Sequence, residues 1–442
     1  MNKNWLTATA SDLGRGIEAG EIDPVALTQT YLDAIDSHQF SDRIYTKVTH
    51  DRAMSEAKAA ATRATSHTRQ SLLDGVPISW KDLFDTAGTK TEAGSALLKN
   101  RTPTDDALVL QNATNAGLVC LGKTHMSELA FSGLGLNPVT QTPPNVNDYD
   151  AIPGGSSSGA AASVGFNLAA AGIGSDTGGS VRIPSAWNDL VGLKTTSGDI
   201  SLQGVVPLCA RFDTVGPLTR SVEDAAHLYA ILKNAPVCDL SPIDLSGRKI
   251  AIHRNIAFDH IEIKPENAFY AVVEKLKSHG AIVTSTSFEG VEQAMELAGC
   301  LFTFEAYAQW GDVIEDNPDL MYQEILHRFR QGKNFSKQQY DDGWTKLLEL
   351  RRSFDAQASE FKLLLAPTAP IMPPNLHRLE TDSDYFVRSN LLALRNTRIG
   401  NLMGLCALTL PTNTPSCGVM LMGRPFQEHT LLQLGKSIEA II

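Results

Sequence analysis

Little in this 442-residue chain belongs to a specialised scaffold. Its six cysteines (Cys120, Cys209, Cys238, Cys300, Cys406 and Cys417) are scattered, and none forms a C-x-x-C pair. That excludes a zinc ribbon and a disulfide framework. Cations are outnumbered, 38 Lys and Arg against 49 Asp and Glu, for a formal charge of −11. Clustered cations are what phosphate contacts require, so the balance argues against direct nucleic-acid binding and against an anionic membrane surface. No run of 18 or more strongly apolar residues is present, and Met1–Trp5 is too polar to open a signal peptide. Nor does any His or carboxylate spacing suggest a metal site. These absences lead us to expect a soluble, reduced, cytoplasmic protein without cofactor or metal.

What is present is enough to build a large core. Hydrophobic residues make up 43% of the chain, and the 34 Gly and 21 Pro are ordinary in number. Length alone suggests roughly three domains at about 150 residues each. Residues 1–70 read as helical: Asp23 can cap a helix starting at Pro24, with Leu27, Tyr31, Ala34 and Ile35 on one face. A second helix is expected over Arg52–Arg63. Beyond it, strand-like segments (75–80, 118–121, 249–253, 281–284) alternate with helical ones (106–115, 265–278), the pattern of an α/β sheet with helices on its faces. Residues 290–360 read as a helical excursion. Its aromatics, Phe302, Phe304, Tyr307, Trp310, Tyr322, Phe329, Tyr340 and Trp344, suit helix packing, with some free to line a funnel.

Residues 151–200 stand apart, with ten Gly, eight Ser and five charged residues in fifty. Residues 160–174 are apolar but small, and read better as backbone packed on backbone than as an ordinary core helix. Four readings meet at Gly154-Gly155-Ser156-Ser157-Ser158-Gly159. A flexible linker would not run into Ala and Val. A phosphate loop would end in G-K-[ST], which is missing. The match of 155–159 to the G-x-S-x-G nucleophile elbow is formal, cheap in a serine-rich run and without a strong strand before it. The fourth reading joins this run to Gly174–Pro184, two Gly/Ser loops forming one site whose backbone N–H groups converge on an anion.

The whole run Gly154–Pro184, with Asp176-Thr177-Gly178-Gly179-Ser180-Val181-Arg182-Ile183-Pro184 at its end, resembles the amidase signature family. Further blocks agree: Gly75–Asp82, Gly122–Glu128, Val191–Lys194, Phe212–Pro217, Leu364–Pro370 and Gly418–Gly423. The likeness spans roughly residues 20–440. It implies an α/β fold in a single large domain over 1–442, a mixed central sheet covered by helices on both faces, with a catalytic core at 75–220.

The resemblance also implies a Ser-cisSer-Lys group. Ser180 is the nucleophile, Ser156 relays its proton and Lys81 is the base, which must be neutral and therefore buried. Asp82 and Asp85 are close enough in sequence to hold Lys81 charged instead. The N–H groups of Thr177, Gly178, Gly179 and Ser180 form the oxyanion hole. Asp176 and Arg182 read as a structural ion pair, Ser157 as a loop support, and His125 as structural or pocket-lining. Ala130, Phe131 and Ser132 are expected to wall the pocket. Arg395 and Arg398 could grip a substrate carboxylate, or be plain cations on a helix surface. The expected activity is hydrolysis of a small carboxamide through a Ser180 acyl-enzyme, and a homodimer is the family-level expectation. The alternative is the glutaminase-type A subunit of a tRNA-dependent amidotransferase, active only with partner chains. The charge of −11 and the lack of an acid near Leu394 weigh against that alternative.

Overall fold

Eleven strands join in one sheet in the computed structural model, which describes residues 3–442. In chain order they are β1 (Tyr45–Val48), β2 (Pro77–Lys81), β3 (Val119–Thr124), β4 (Ala171–Ser175), β5 (Val191–Lys194) and β6 (Val215–Thr219), then β7 (Lys249–His253), β8 (Ile282–Thr286), β9 (Leu363–Pro367), β10 (Cys406–Pro411) and β11 (Gly418–Gly423). Their spatial order is β1-β3-β2-β4-β6-β5-β10-β11-β9-β7-β8. The sheet is mixed: β3, β2 and β4 run parallel, as do β9, β7 and β8, while the strands between them pair antiparallel. Every residue of β2, β3, β4, β5, β6 and β9 is buried, as expected of strands covered on both faces.

Local chemistry explains most boundaries. Asp23 accepts the Ala26 N–H at 2.8 Å and Pro24 occupies the first turn, so the helix Pro24–Ser37 starts where expected. The helix expected from Asp106 begins at Leu108 instead. The Asp106 carboxylate is spent on Arg52, at 2.8 Å, and on the Ala87 N–H. Residues 290–360 are the helices Val291–Asp316, Gln323–Arg330 and Lys337–Ala358 with short 3-10 turns between them. Among the described residues, no helix is long and apolar enough to cross a membrane.

The small-residue stretch departs from expectation in one respect. Residues 158–165 do form a helix, and its small side chains let it lie directly on β4. A Cβ at Gly172 would sit 2.8 Å from the Ala160 carbonyl oxygen, closer than real carbons approach. Glycine in β4 is thus what permits the helix to settle there, close packing taking the place of large side chains.

Candidate active site

The parallel strands β2 and β4 end side by side, Trp80 in register with Ile173, which brings Lys81 and Ser175 together at their carboxyl ends. Crevices at strand carboxyl ends are where open α/β sheets bind ligands. Lys81 Nζ donates to Ser156 Oγ at 2.7 Å and to Ser175 Oγ at 2.8 Å. Lys81 is completely buried. That burial lowers its pKa from the ordinary 10.5 to about 7, against the pull of Asp176 and Asp213. Neither of those carboxylates forms an ion pair with it. Asp82 pairs instead with Lys123 at 3.2 Å, and Asp85 with Arg101 at 2.6 Å. Both sequence neighbours that might have held Lys81 charged are engaged elsewhere.

Ser156 follows a cis peptide at Gly155-Ser156 and is fully buried. Ser180 lies in the turn between β4 and the helix Arg182–Trp187 and lines a small cavity. Its Oγ makes no hydrogen bond to any described residue, so the structure joins Lys81 to Ser156 but does not close the link from Ser156 to Ser180. Catalytic hydrogen bonds are often open in the absence of substrate.

Beneath the turn lies a saturated charge cluster. Asp176 grips Arg182 in a two-pronged pair at 2.9 and 3.0 Å, and also accepts from the Gly179 and Val181 N–H groups and from Asn401. Burial alone would raise the Asp176 pKa, but Arg182 overrides it and holds the carboxyl well below the usual range. Arg182 further donates to the Thr397 carbonyl at 2.8 Å and to Asn401. This is the structural ion pair expected. It corrects the oxyanion assignment at one position: the Gly179 N–H points into the Asp176 carboxylate at 2.8 Å and is not free for a substrate oxygen. Thr177, Gly178 and Ser180 retain backbone N–H groups without partners among the described residues. Gly179 has φ +144°, and a Cβ there would meet Thr397 Oγ1 at 2.2 Å, so only glycine fits.

The long helix Ser383–Leu402 is the scaffold opposite. Asn390, Leu394, Thr397, Arg398 and Asn401 recur at helical spacing and share one face. Asn390 Oδ1 accepts from the Gly133 N–H and from Ser132 Oγ, and Thr397 Oγ1 donates to the Gly178 carbonyl at 2.7 Å. One helix therefore fastens both the pocket wall and the turn at Gly178. Ala130, Phe131, Ser132 and Arg398 line the cavity as expected, together with Leu208, Phe302, Arg328 and Leu394. Arg395 does not reach it, and this expectation is corrected: its guanidinium holds the carbonyls of Ala257 and Asp259. Of the eight aromatics noted in 290–360, Phe302 is the one lining this cavity.

His125 is buried against Thr140, and burial lowers its pKa to about 4, leaving it neutral and away from the cavity. Ser157 exchanges hydrogen bonds with the backbone of Ser175, a loop support as expected, and does not line the cavity.

Comparison with known proteins agrees with this geometry. A family model described as Amidase matches residues 26–432. The chain is 33% identical to 2-amino-5-chloromuconic acid deaminase of Comamonas testosteroni, over 96% of this chain and 93% of that protein. It is 29% identical to the A subunit of the glutamyl-tRNA(Gln) amidotransferase of Desulforamulus reducens, over 98% of this chain and 96% of that one. Among solved structures, an amidase superposes with TM-score 0.87 at 27% identity, covering 98% of this chain and 99% of its own. The native peptide amidase of Stenotrophomonas maltophilia gives TM-score 0.84 at 25% identity, covering 98% and 96%.

Proposed function

The chain belongs to the amidase signature family and is a hydrolase of C–N bonds, and from that premise we propose that it converts a small carboxamide to a carboxylate and ammonia through an acyl-enzyme on Ser180. The observation that carries the reading is Lys81: a buried lysine whose hydrogen-bond partners are two serine hydroxyls. A lysine without a paired anion gives up its proton near neutral pH, which a general base requires.

In this mechanism neutral Lys81 draws a proton from Ser156, and Ser156 in turn takes the proton of Ser180. Ser180 Oγ attacks the amide carbon, and the carbonyl electron pair moves onto oxygen. The N–H groups of Thr177, Gly178 and Ser180 receive that oxyanion, a contribution on the order of 3 kcal/mol per well-aimed donor. The intermediate collapses, the C–N bond breaks, and the nitrogen leaves as ammonia with the proton returned through Ser156. Water then attacks the Ser180 ester by the same relay and releases the acid.

A second reading rests on the relatives named as A subunits of glutamyl-tRNA(Gln) amidotransferase, 28–29% identical across nearly their full lengths. In that reading the chain is the glutaminase-type component of a larger assembly, inactive without its partner chains. Ammonia release by the purified chain, measured over a panel of small amides, separates the two. Turnover by the chain alone supports the independent amidase. Turnover only with co-purifying partners supports the assembly. Size-exclusion chromatography of the same sample tests the expected homodimer.

A further inference from the structure

Two carboxylates stand behind the turn that carries Ser180, and only one of them is paired with a cation. Asp176 is answered by Arg182. Asp213 is 6% exposed and forms no ion pair with any described residue. Strand register puts it there. β4 and β6 pair antiparallel, with Ser175 opposite Val215. The ladder runs one step further, since Asp176 and Thr214 exchange backbone hydrogen bonds at 2.9 and 3.1 Å. Thr177 therefore stands opposite Asp213, where facing side chains can meet. Thr177 Oγ1 donates to Asp213 Oδ1 at 2.5 Å. The other oxygen, Oδ2, accepts the N–H groups of Leu208 and Cys209 at 2.9 and 3.0 Å.

One carboxylate thus fixes two parts of the cavity, because Thr177 and Leu208 both line it. Thr177 is held by its side chain, which leaves its backbone N–H free for a substrate oxygen. Such a donor contributes most when its direction is set before the reaction. Asp213 also acts on the base. Burial pushes its carboxyl up, while Thr177, the two amides and the charge of Lys81 draw it down. Lys81 feels the reciprocal pull upward, although its hydrogen bonds go only to Ser156 and Ser175. The other anion that pulls on Lys81 is Asp176, and Arg182 already grips it. We infer that Asp213 is a positioning residue: it aims the Thr177 N–H at the developing oxyanion and, at a distance, steadies Lys81 once that base has taken up a proton. The inference rests on the amidase reading for the reaction, but its action on Lys81 is measurable without turnover.

The experiment has two arms on the full-length protein. In the first, lysine carbons are labelled with carbon-13 and the Lys81 Cε signal, identified by its loss in Lys81→Met, is titrated by NMR. The midpoint is expected near pH 7 in the wild type, about one pH unit lower in Asp213→Asn, and unmoved in Thr177→Val. Asp213→Ser, also uncharged and smaller, serves if Asp213→Asn does not fold. A midpoint that stays in place when the Asp213 charge is removed overturns the inference. In the second arm, acylation by p-nitrophenyl acetate is followed as nitrophenolate release, with Ser180→Ala as the background. Thr177→Val is expected to slow acylation about tenfold or more, and Thr177→Ser, which keeps the hydroxyl, to restore it. Wild-type rates in Thr177→Val, or a loss that Thr177→Ser does not recover, also overturn the inference. A wild-type chain no faster than Ser180→Ala overturns the amidase reading instead, and the Lys81 titration then decides the role of Asp213 by itself.

Discussion

Lys81 and Lys123 sit on neighbouring parallel strands, both with no exposed surface, yet their surroundings differ completely. Lys123 donates to Asp82 and to Thr91, a buried ion pair closed by a hydroxyl. Lys81 has two hydroxyls and no carboxylate. The same division runs through the arginines. Arg182 is saturated by Asp176, Asn401 and a carbonyl, whereas Arg328 and Arg398 at the cavity have no anion. Burial alone therefore says little about a charge. Among these five cations, what separates Lys123 and Arg182 from Lys81, Arg328 and Arg398 is whether the protein itself supplies the counter-ion.

Substitutions sharpen that contrast from either side. The largest effect is expected at the proposed nucleophile: Ser180→Ala lowers kcat by about 10⁴-fold or more, read as ammonia release, with the thermal midpoint unmoved. Lys81→Met follows, with about 10³-fold loss or more. Because it removes a cation that has no anion, its Tm at pH 7 holds or rises. Lys123→Met is the mirror case. It strands Asp82 in the interior and costs about 3–5 kcal/mol in denaturant unfolding. Equal losses of stability in the two lysine variants break the comparison.

A smaller effect lies in pH. Lys81 has a folded pKa of about 7 against an ordinary 10.5. Between those values the unfolded chain binds the proton and the folded chain does not, so stability rises with pH. Its penalty is fully present below pH 7, on the order of 5 kcal/mol at most, and gone by about pH 10.5. Unfolding free energies of wild type minus Lys81→Met, measured from pH 7 to 10, should therefore climb. A flat difference means that Lys81 is not desolvated.

Much of this was legible in the chain. The helix Pro24–Ser37 announces itself through Asp23 and Pro24, because capping is local chemistry. Lys81, Ser156 and Ser180 could be picked out only because the blocks that hold them resemble those of the amidase signature family. The free N–H groups could not be sorted, since the loss of Gly179 depends on where the Asp176 carboxylate folds back. Arg398 was legible and Arg395 misplaced for one reason: each residue along a helix turns by about 100°, so Leu394 and Arg398 share a face that Arg395 leaves. Arg328 gave no signal, lying 148 residues from Ser180 in a helix whose His327-Arg328-Phe329-Arg330 looks like an ordinary cationic surface. Ser175, standing inside the Gly174–Pro184 run, was visible but had no evident role until β2 and β4 were seen to end together.

The claim that a neutral Lys81 drives Ser180 is tested most directly by the pH dependence of acylation. A small serine-directed acylating reagent is reacted with the native protein at a series of pH values, and the modified peptide is identified and quantified by mass spectrometry. The account predicts a single label on Ser180, whose rate rises with an apparent pKa of about 7. Label on Ser157, or a Ser180 rate that does not change between pH 5 and 9, contradicts it.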